Sequence, residues 1–225
     1  MEARLPISAL GAEPAPQLSF SIEDGGVMDY AAVPTLRFGL RVQSSIPVRS
    51  LSLNVQVRIA ATRRRYGDGE EQALAQLFGR PEQWSRTLRS LHWTNLAVQV
   101  PAFSESTLVE LPVTCTYDLE VSGARYMDAL EDGEVPLEFL FGGTLFYGGS
   151  GGQLQVRPVS WDQEAEFRLP VAAWREMMDR YFPGSAWLRL RRESFERLQA
   201  YRSRHSLLSW DETVDALLAE RGEEG

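Results

Sequence analysis

The side chains of this chain best suited to acid–base, nucleophilic or metal chemistry are two histidines, His92 and His205, and one cysteine, Cys115, which stand far apart in the sequence. A structural zinc is held by about four Cys or His ligands, so these three describe no zinc site. Cys115 occupies an inward position of an alternating run, lacks the flanking residues of the cysteine hydrolases, and is expected to be a buried, unreactive thiol. His92 stands beside Trp93 at the entry of a strand. His205 closes a helix, where an imidazole ordinarily caps the last carbonyls.

Other chemistries are equally short of parts. Gly149-Ser150-Gly151 falls in a hairpin loop, not on the strand-to-helix elbow of a serine hydrolase. Those glycines also lack a following helix and a lysine, the two features that let a glycine loop hold phosphate. All 23 positive charges are arginine, an imbalance that the codon bias of a GC-rich genome explains. Without lysine there is no Walker-type phosphate ligand, no Schiff-base nucleophile and no pyridoxal attachment point. Paired carboxylates remain: Asp118 with Glu120, and Asp128 with Glu131 and Asp132, which suit calcium at a sandwich rim or an acid–base pair. Turns and strand faces commonly carry such clusters as solvated charge, so a hydrolase ranks third among the readings. No catalytic residue, cofactor or metal ligand is assigned.

The elements that would position any site follow from periodicity. Val135 to Tyr147, VPLEFLFGGTLFY, is apolar on both sides: Val135, Leu137, Phe139, Phe141, Leu145 and Tyr147 on one face, Leu140 and Phe146 on the other. It is placed centrally in a sheet, covered by a second sheet on one face and by C-terminal helices over part of the other. The remaining strand candidates alternate apolar with polar and need cover on one face only. Leu18 to Ile22 is a short strand ended by an Asp24-Gly25-Gly26 turn, Leu36 to Val42 a second, and Leu51 to Ile59 a third whose wet face carries Ser52, Asn54, Gln56 and Arg58. The longest alternation, Val109 to Val121, contains Pro112, which has no amide hydrogen to give a ladder and places the strand at an edge or a bulge. Between strands, residues 70–88 form a helical insertion with Gly79 as a stop and Pro81 opening a second short helix.

From Pro170 the period changes from two to about 3.6. Val171, Trp174, Met178 and Tyr181 form one helix face, a second helix spans about Arg191 to His205, and Ser209 with Glu212 makes a capping box for a third whose face is Trp210, Val214, Leu217 and Leu218. Trp174 and Trp210 are assigned to the core. The expected fold is mainly β, of the α+β class: an antiparallel β-sandwich over 18–169 with the helical insertion, preceded by an N-terminal arm over 1–17 and followed by a three-helix extension over 170–225 packed on the sandwich.

A chain of 225 residues with 44% hydrophobic side chains buries an ample core without a staple. Its formal charge of −8 opposes a general affinity for nucleic acid or anionic membranes. The lone cysteine, the shortness of the apolar runs and the missing signal-peptide core in Met1-Glu2-Ala3-Arg4 point to the cytoplasm.

The C-terminal third is unusual. It holds four of the six tryptophans, and between Pro170 and His205 eight arginines face four acids, whereas from Ser206 onward six acids face one arginine. A basic helix pair beside an acidic helix can satisfy itself internally, although exposed ion pairs contribute only about 0–1 kcal/mol each. It can equally be a docking surface, since Trp and Arg are enriched among interface anchors. The candidate patch comprises Trp161, Trp187, Arg189, Arg191 and Arg192.

The run from Leu111 to Leu218 resembles an uncharacterised bacterial family of actinobacterial type. The phrases that carry it are LPVTCTYDLEV, GEVPLEFLFGGTLFY, PVAAWREMMDRYFPGSAWLRLRRESFERLQAYR and SWDETVDALL. Members of that family tend to be encoded among nickel–iron hydrogenase genes, so the resemblance implies an accessory or assembly role exercised through protein contacts, with a hydrogenase subunit or maturation factor as partner. It carries over no catalytic motif. The first reading is therefore a non-catalytic adaptor; the second is a ligand-binding β-sandwich on which an exposed Trp or Tyr stacks a carbohydrate or other small molecule.

Overall fold

Alternating apolar residues become two antiparallel sheets that face one another. The structure, a computed structural model, describes residues 16–115, 122–149, 151–185 and 190–222. In chain order the elements are β1 (Leu18–Val27), β2 (Thr35–Ser44), β3 (Val48–Ile59), α1 (Asp68–Phe78), α2 (Trp84–Thr87), β4 (Leu91–Val100), β5 (Ser106–Thr114), α3 (Ser122–Asp128), β6 (Glu134–Gly148), β7 (Leu154–Pro158), β8 (Glu164–Pro170), α4 (Val171–Tyr181), α5 (Arg192–Arg204) and α6 (Trp210–Gly222). The smaller sheet has the order β1-β2-β5. The larger runs β4-β3-β6-β7, with β8 also paired to β6. The chain divides into two units, Met1–Ser185 and Ala186–Gly225, and α4 belongs to the first.

The first unit's core is the space between the sheets. Leu36, Phe38, Leu40 and Val42 of β2 are fully buried, as are Leu51, Leu53, Val55, Val57 and Ile59 of β3. Phe38 is the hub: its ring meets Phe139 at 5.1 Å, Phe167 at 5.8 Å and Trp93 at 6.5 Å, each edge to face, the arrangement that aromatic quadrupoles prefer. Phe20 of the smaller sheet stacks on Phe141 of the larger at 4.5 Å. Helix α4 buries Val171, Trp174 and Met177.

β6 is the central strand that its composition calls for, flanked by β3 on one side and by β7 and β8 on the other. Its second face differs from expectation, because Leu140 and Phe146 remain partly exposed. β5 lies at the edge of its sheet, where Pro112 opposite Arg37 withholds no needed donor. Residues 116–121, in which the alternation of that run was expected to continue, lie outside the described residues.

β1 does not stop at Asp24. A bulge between Ile22 and Asp24 lets the strand continue to Val27, and the Arg37 guanidinium donates to the Asp24 carboxylate at 2.8 Å. Gly25 is needed there because a Cβ would stand 2.7 Å from both Phe167 and Phe38; the glycine is a point of close approach and not a turn.

Candidate binding surfaces

The partner exchange along β6 builds a groove. Residues 134–140 of β6 pair with β8 and residues 144–148 with β7. The connection between β7 and β8 crosses the interval: the Val159 amide donates to the Gly143 carbonyl at 3.0 Å, and the Phe141 amide donates to the Gln163 carbonyl at 2.9 Å. These two bonds bracket Gly142. Inside the turn the Gln163 amide donates to the Ser160 carbonyl at 3.4 Å, and the Ser160 hydroxyl holds the Asp162 carboxyl below its ordinary pKa. A turn fixed in this way presents Trp161 with 91% of its surface exposed.

Beside that indole, on the outer face of the larger sheet, lies a groove of ≈ 550 Å³ lined by Asn54, Gln56, Asn95, Ala97, Leu140, Gly142 and Trp161, among others. The register explains the set, since Gln56 pairs with both Asn95 and Leu140, and Asn54 with both Ala97 and Gly142. His92, on the same face, lies between two of the carboxamides, with Gln56 Nε2 3.3 Å from its Nδ1 and Asn95 Nδ2 3.3 Å from its Nε2. Both carboxamide nitrogens are donors, so a ring nitrogen without a proton accepts from the amide group that faces it. Along the sheet Phe146 and Val156 are paired, and the exposed Val156 and Leu154 extend the apolar surface.

The second unit is a pair of helices. α5 contains no buried residue, and Phe195, Trp210, Val214 and Leu218 are exposed. Trp210 is thus not the core residue its periodicity suggested: two helices alone cannot enclose an indole. It packs on the Phe195 ring at 5.4 Å and beneath the Arg202 guanidinium at 4.5 Å. Tyr201 donates to Glu220 at 2.6 Å. Among the described residues no guanidinium–carboxylate pair joins α5 to α6, so the opposite charges do not neutralise one another directly. The capping box at the start of α6 is present, the Glu212 amide donating to Ser209 Oγ at 3.0 Å and the Ser209 amide to Glu212 Oε2 at 3.4 Å. His205 is the C-cap of α5, its ring 4.3 Å from that of Tyr201.

Of the candidate patch, Trp161 belongs to the groove in the first unit, Arg191 and Arg192 are exposed at the start of α5 in the second, and Trp187 and Arg189 lie outside the described residues.

The other candidates take structural places. Burial pushes the Cys115 thiol up to about 12. Asp118 and Glu120 lie outside the described residues, and no group of three or more His, Cys, Asp or Glu able to hold a metal occurs among those described. Asp128 accepts the Trp174 indole N–H at 2.7 Å, and burial raises its pKa. The Glu131 amide donates to Glu70 and the Asp132 carbonyl accepts from Arg64, so the three acids serve different partners.

Those last bonds belong to a buried polar cluster that the sequence reading missed. Arg64 and Glu70 pair at 2.5 Å, and Arg64 also donates to the carbonyls of Glu134 and Asp132, each at 2.8 Å. Tyr66 donates to the Ala61 carbonyl at 2.6 Å and meets the Tyr126 hydroxyl at 2.8 Å. Burial raises the pKa of both phenols. The spacing of Glu70 three residues after the helix cap was a usable signal; nothing local marked Arg64. The groove was missed as well, although uncharged Asn54 and Gln56 on a wet strand face and a glycine pair inside the most apolar strand were both visible.

The sequence profile of the family described as "Family of unknown function (DUF6084)" matches residues 15–225. No curated protein matches. Among solved structures, the CARDB domain of a Pyrococcus furiosus protein in complex with di-metal ions is 13% identical, with 69% of this chain and 92% of that chain covered and a TM-score of 0.27. A putative late embryogenesis abundant protein is 16% identical over 72% of this chain and 76% of that one, with a TM-score of 0.32. A β-glucosidase from Kluyveromyces marxianus is 13% identical over 68% of this chain and 15% of that one, with a TM-score of 0.26. Likeness at this level assigns neither ligand nor activity.

Proposed function

The chain belongs to that family of unknown function, and we propose that it is a non-catalytic adaptor that acts by binding another protein through its C-terminal helices. The observation that carries this reading is the surface of α5 and α6, where Phe195, Trp210, Val214 and Leu218 are exposed and α5 buries nothing. Helices that hide so little apolar surface gain little from packing, and packing supplies most helix stability in proteins. The arginines point the same way. Arg191 and Arg192 stand at the N-terminus of α5, where the helix dipole disfavours positive charge by about 0.3–1 kcal/mol each. They do not serve the helix, and exposed guanidiniums beside aromatic side chains are the ordinary composition of an interface anchor. Cys115 and the buried tyrosines are packed away from solvent, which favours contact over catalysis.

A nickel–iron hydrogenase subunit or one of its maturation factors is the proposed partner, on the family resemblance, and cytoplasmic residence is proposed on the lone cysteine and the short apolar runs. No helix among the described residues is long and apolar enough to cross a membrane. The test is co-purification of the tagged chain with hydrogenase structural subunits and maturation factors. Arg191→Glu with Arg192→Glu is expected to reduce recovery of one of them by about tenfold, and Phe195→Ser to do the same. Recovery unchanged by both variants removes the reading.

A further inference from the structure

Docking through the C-terminal helices leaves the outer face of the larger sheet unexplained. Gly142 lies inside β6, where glycine weakens a strand and a side chain would strengthen it. Its neighbour Gly143 has an internal reason to be glycine, with φ +140 and a Cβ position 2.0 Å from the Ser52 carbonyl oxygen. Gly142 has none, because a Cβ there meets nothing within 4 Å. A glycine of this kind in a central strand marks a place where something from outside comes close to the backbone. The β7–β8 turn, tied down on both sides of that glycine, holds the Trp161 indole almost fully in water, which forgoes the stabilisation that burying so large an apolar surface gives.

The lining selects the guest. No ionised side chain lines the groove; Asn54, Gln56 and Asn95 offer uncharged donors and acceptors, while Leu140 and Trp161 offer apolar surface. A charged ligand would find no counter-charge, and a wholly apolar one would strand the carboxamides without partners. A sugar ring has both surfaces, a C–H face that lies flat on an indole and a rim of hydroxyls that donate and accept as carboxamides do. We propose that this groove binds a neutral saccharide, with a ring stacked on Trp161 above Gly142 and hydroxyls bonded by Asn54, Gln56 and Asn95. His92 stands 3.3 Å from both Gln56 and Asn95 and limits their freedom before the ligand arrives, which reduces the entropy lost on binding.

The site is separate from the adaptor surface, and the test separates them. The full chain is titrated with neutral gluco-, xylo-, manno- and chito-oligosaccharides while the Trp161 indole N–H and the side-chain amides of Asn54, Gln56 and Asn95 are followed by nuclear magnetic resonance. At least one series is expected to shift these signals saturably. Trp161→Ala should weaken that binding by about tenfold or more and Gly142→Val should abolish it by filling the floor, neither lowering the melting temperature. Arg191→Glu with Arg192→Glu should leave it intact. The proposal is overturned if no series moves the signals at millimolar concentration, if binding survives both groove variants, or if Trp161→Ala removes capture of a hydrogenase protein while no saccharide binds.

Discussion

The Arg64 guanidinium and the Glu70 carboxylate meet at 2.5 Å with 9% and 5% of their side chains exposed. This pair ties the start of α1 to the segment entering β6, since Arg64 also holds the carbonyls of Asp132 and Glu134 and Glu70 receives the Glu131 amide at 2.9 Å. Arg64 Nε is buried without a hydrogen-bond partner, so the cluster already carries one unmet donor. Breaking a buried pair from one side leaves an uncompensated charge. Glu70→Ala is therefore expected to cost about 3–5 kcal/mol and to lower the melting temperature by roughly 10 °C or more, measured by differential scanning calorimetry. Replacing both partners by apolar residues should remain destabilising, because the carbonyls of Asp132 and Glu134 would lose their donor.

Gly142 and Gly143 should respond in opposite ways to the same substitution. Gly143→Ala meets the Ser52 carbonyl and a positive φ, and is expected to cost roughly 2–4 kcal/mol. Gly142→Ala meets nothing and should be neutral or slightly stabilising. Urea denaturation of the two variants gives the comparison; equal costs would contradict the close approach of Gly143 to the Ser52 carbonyl.

Asp128 makes stability depend on pH. Burial raises its folded-state pKa above the ordinary 3.8, while the Trp174 indole bond lowers it in part. The folded chain therefore takes up this proton at a higher pH than the unfolded chain does. Its contribution is fully favourable below 3.8 and declines as pH rises through the raised value. Asp128→Asn keeps an acceptor for Trp174 and removes the charge, so it should raise the melting temperature slightly near neutral pH and match the unaltered chain at pH below 3.8. A lower melting temperature near neutrality would contradict this.

Cys115 should be inert until the fold opens. With its thiol pushed up to about 12 by burial, the thiolate fraction near pH 8 falls on the order of a thousandfold below that of an ordinary cysteine. Alkylation should be slow on the native chain and fast in denaturant, followed by mass spectrometry. Rapid labelling under native conditions would place the thiol outside the core.

The sequence by itself determined most of the strands though not the end of β1, the central place of β6, the edge or bulge that Pro112 requires, the stop at Gly79 and the capping box at Ser209, because periodicity and cap chemistry are local. Only the tertiary structure decided the rest. Which partner β6 takes along each half of its length brings the β7–β8 turn over Gly142, and cross-strand register gathers Asn54, Asn95 and Leu140 from three strands. Trp174 and Trp210 look alike on helical wheels, yet one is buried against a sheet and the other lies on a helix pair too small to enclose it. Burial depends on what another segment places opposite a residue, and no local pattern of residues contains that information.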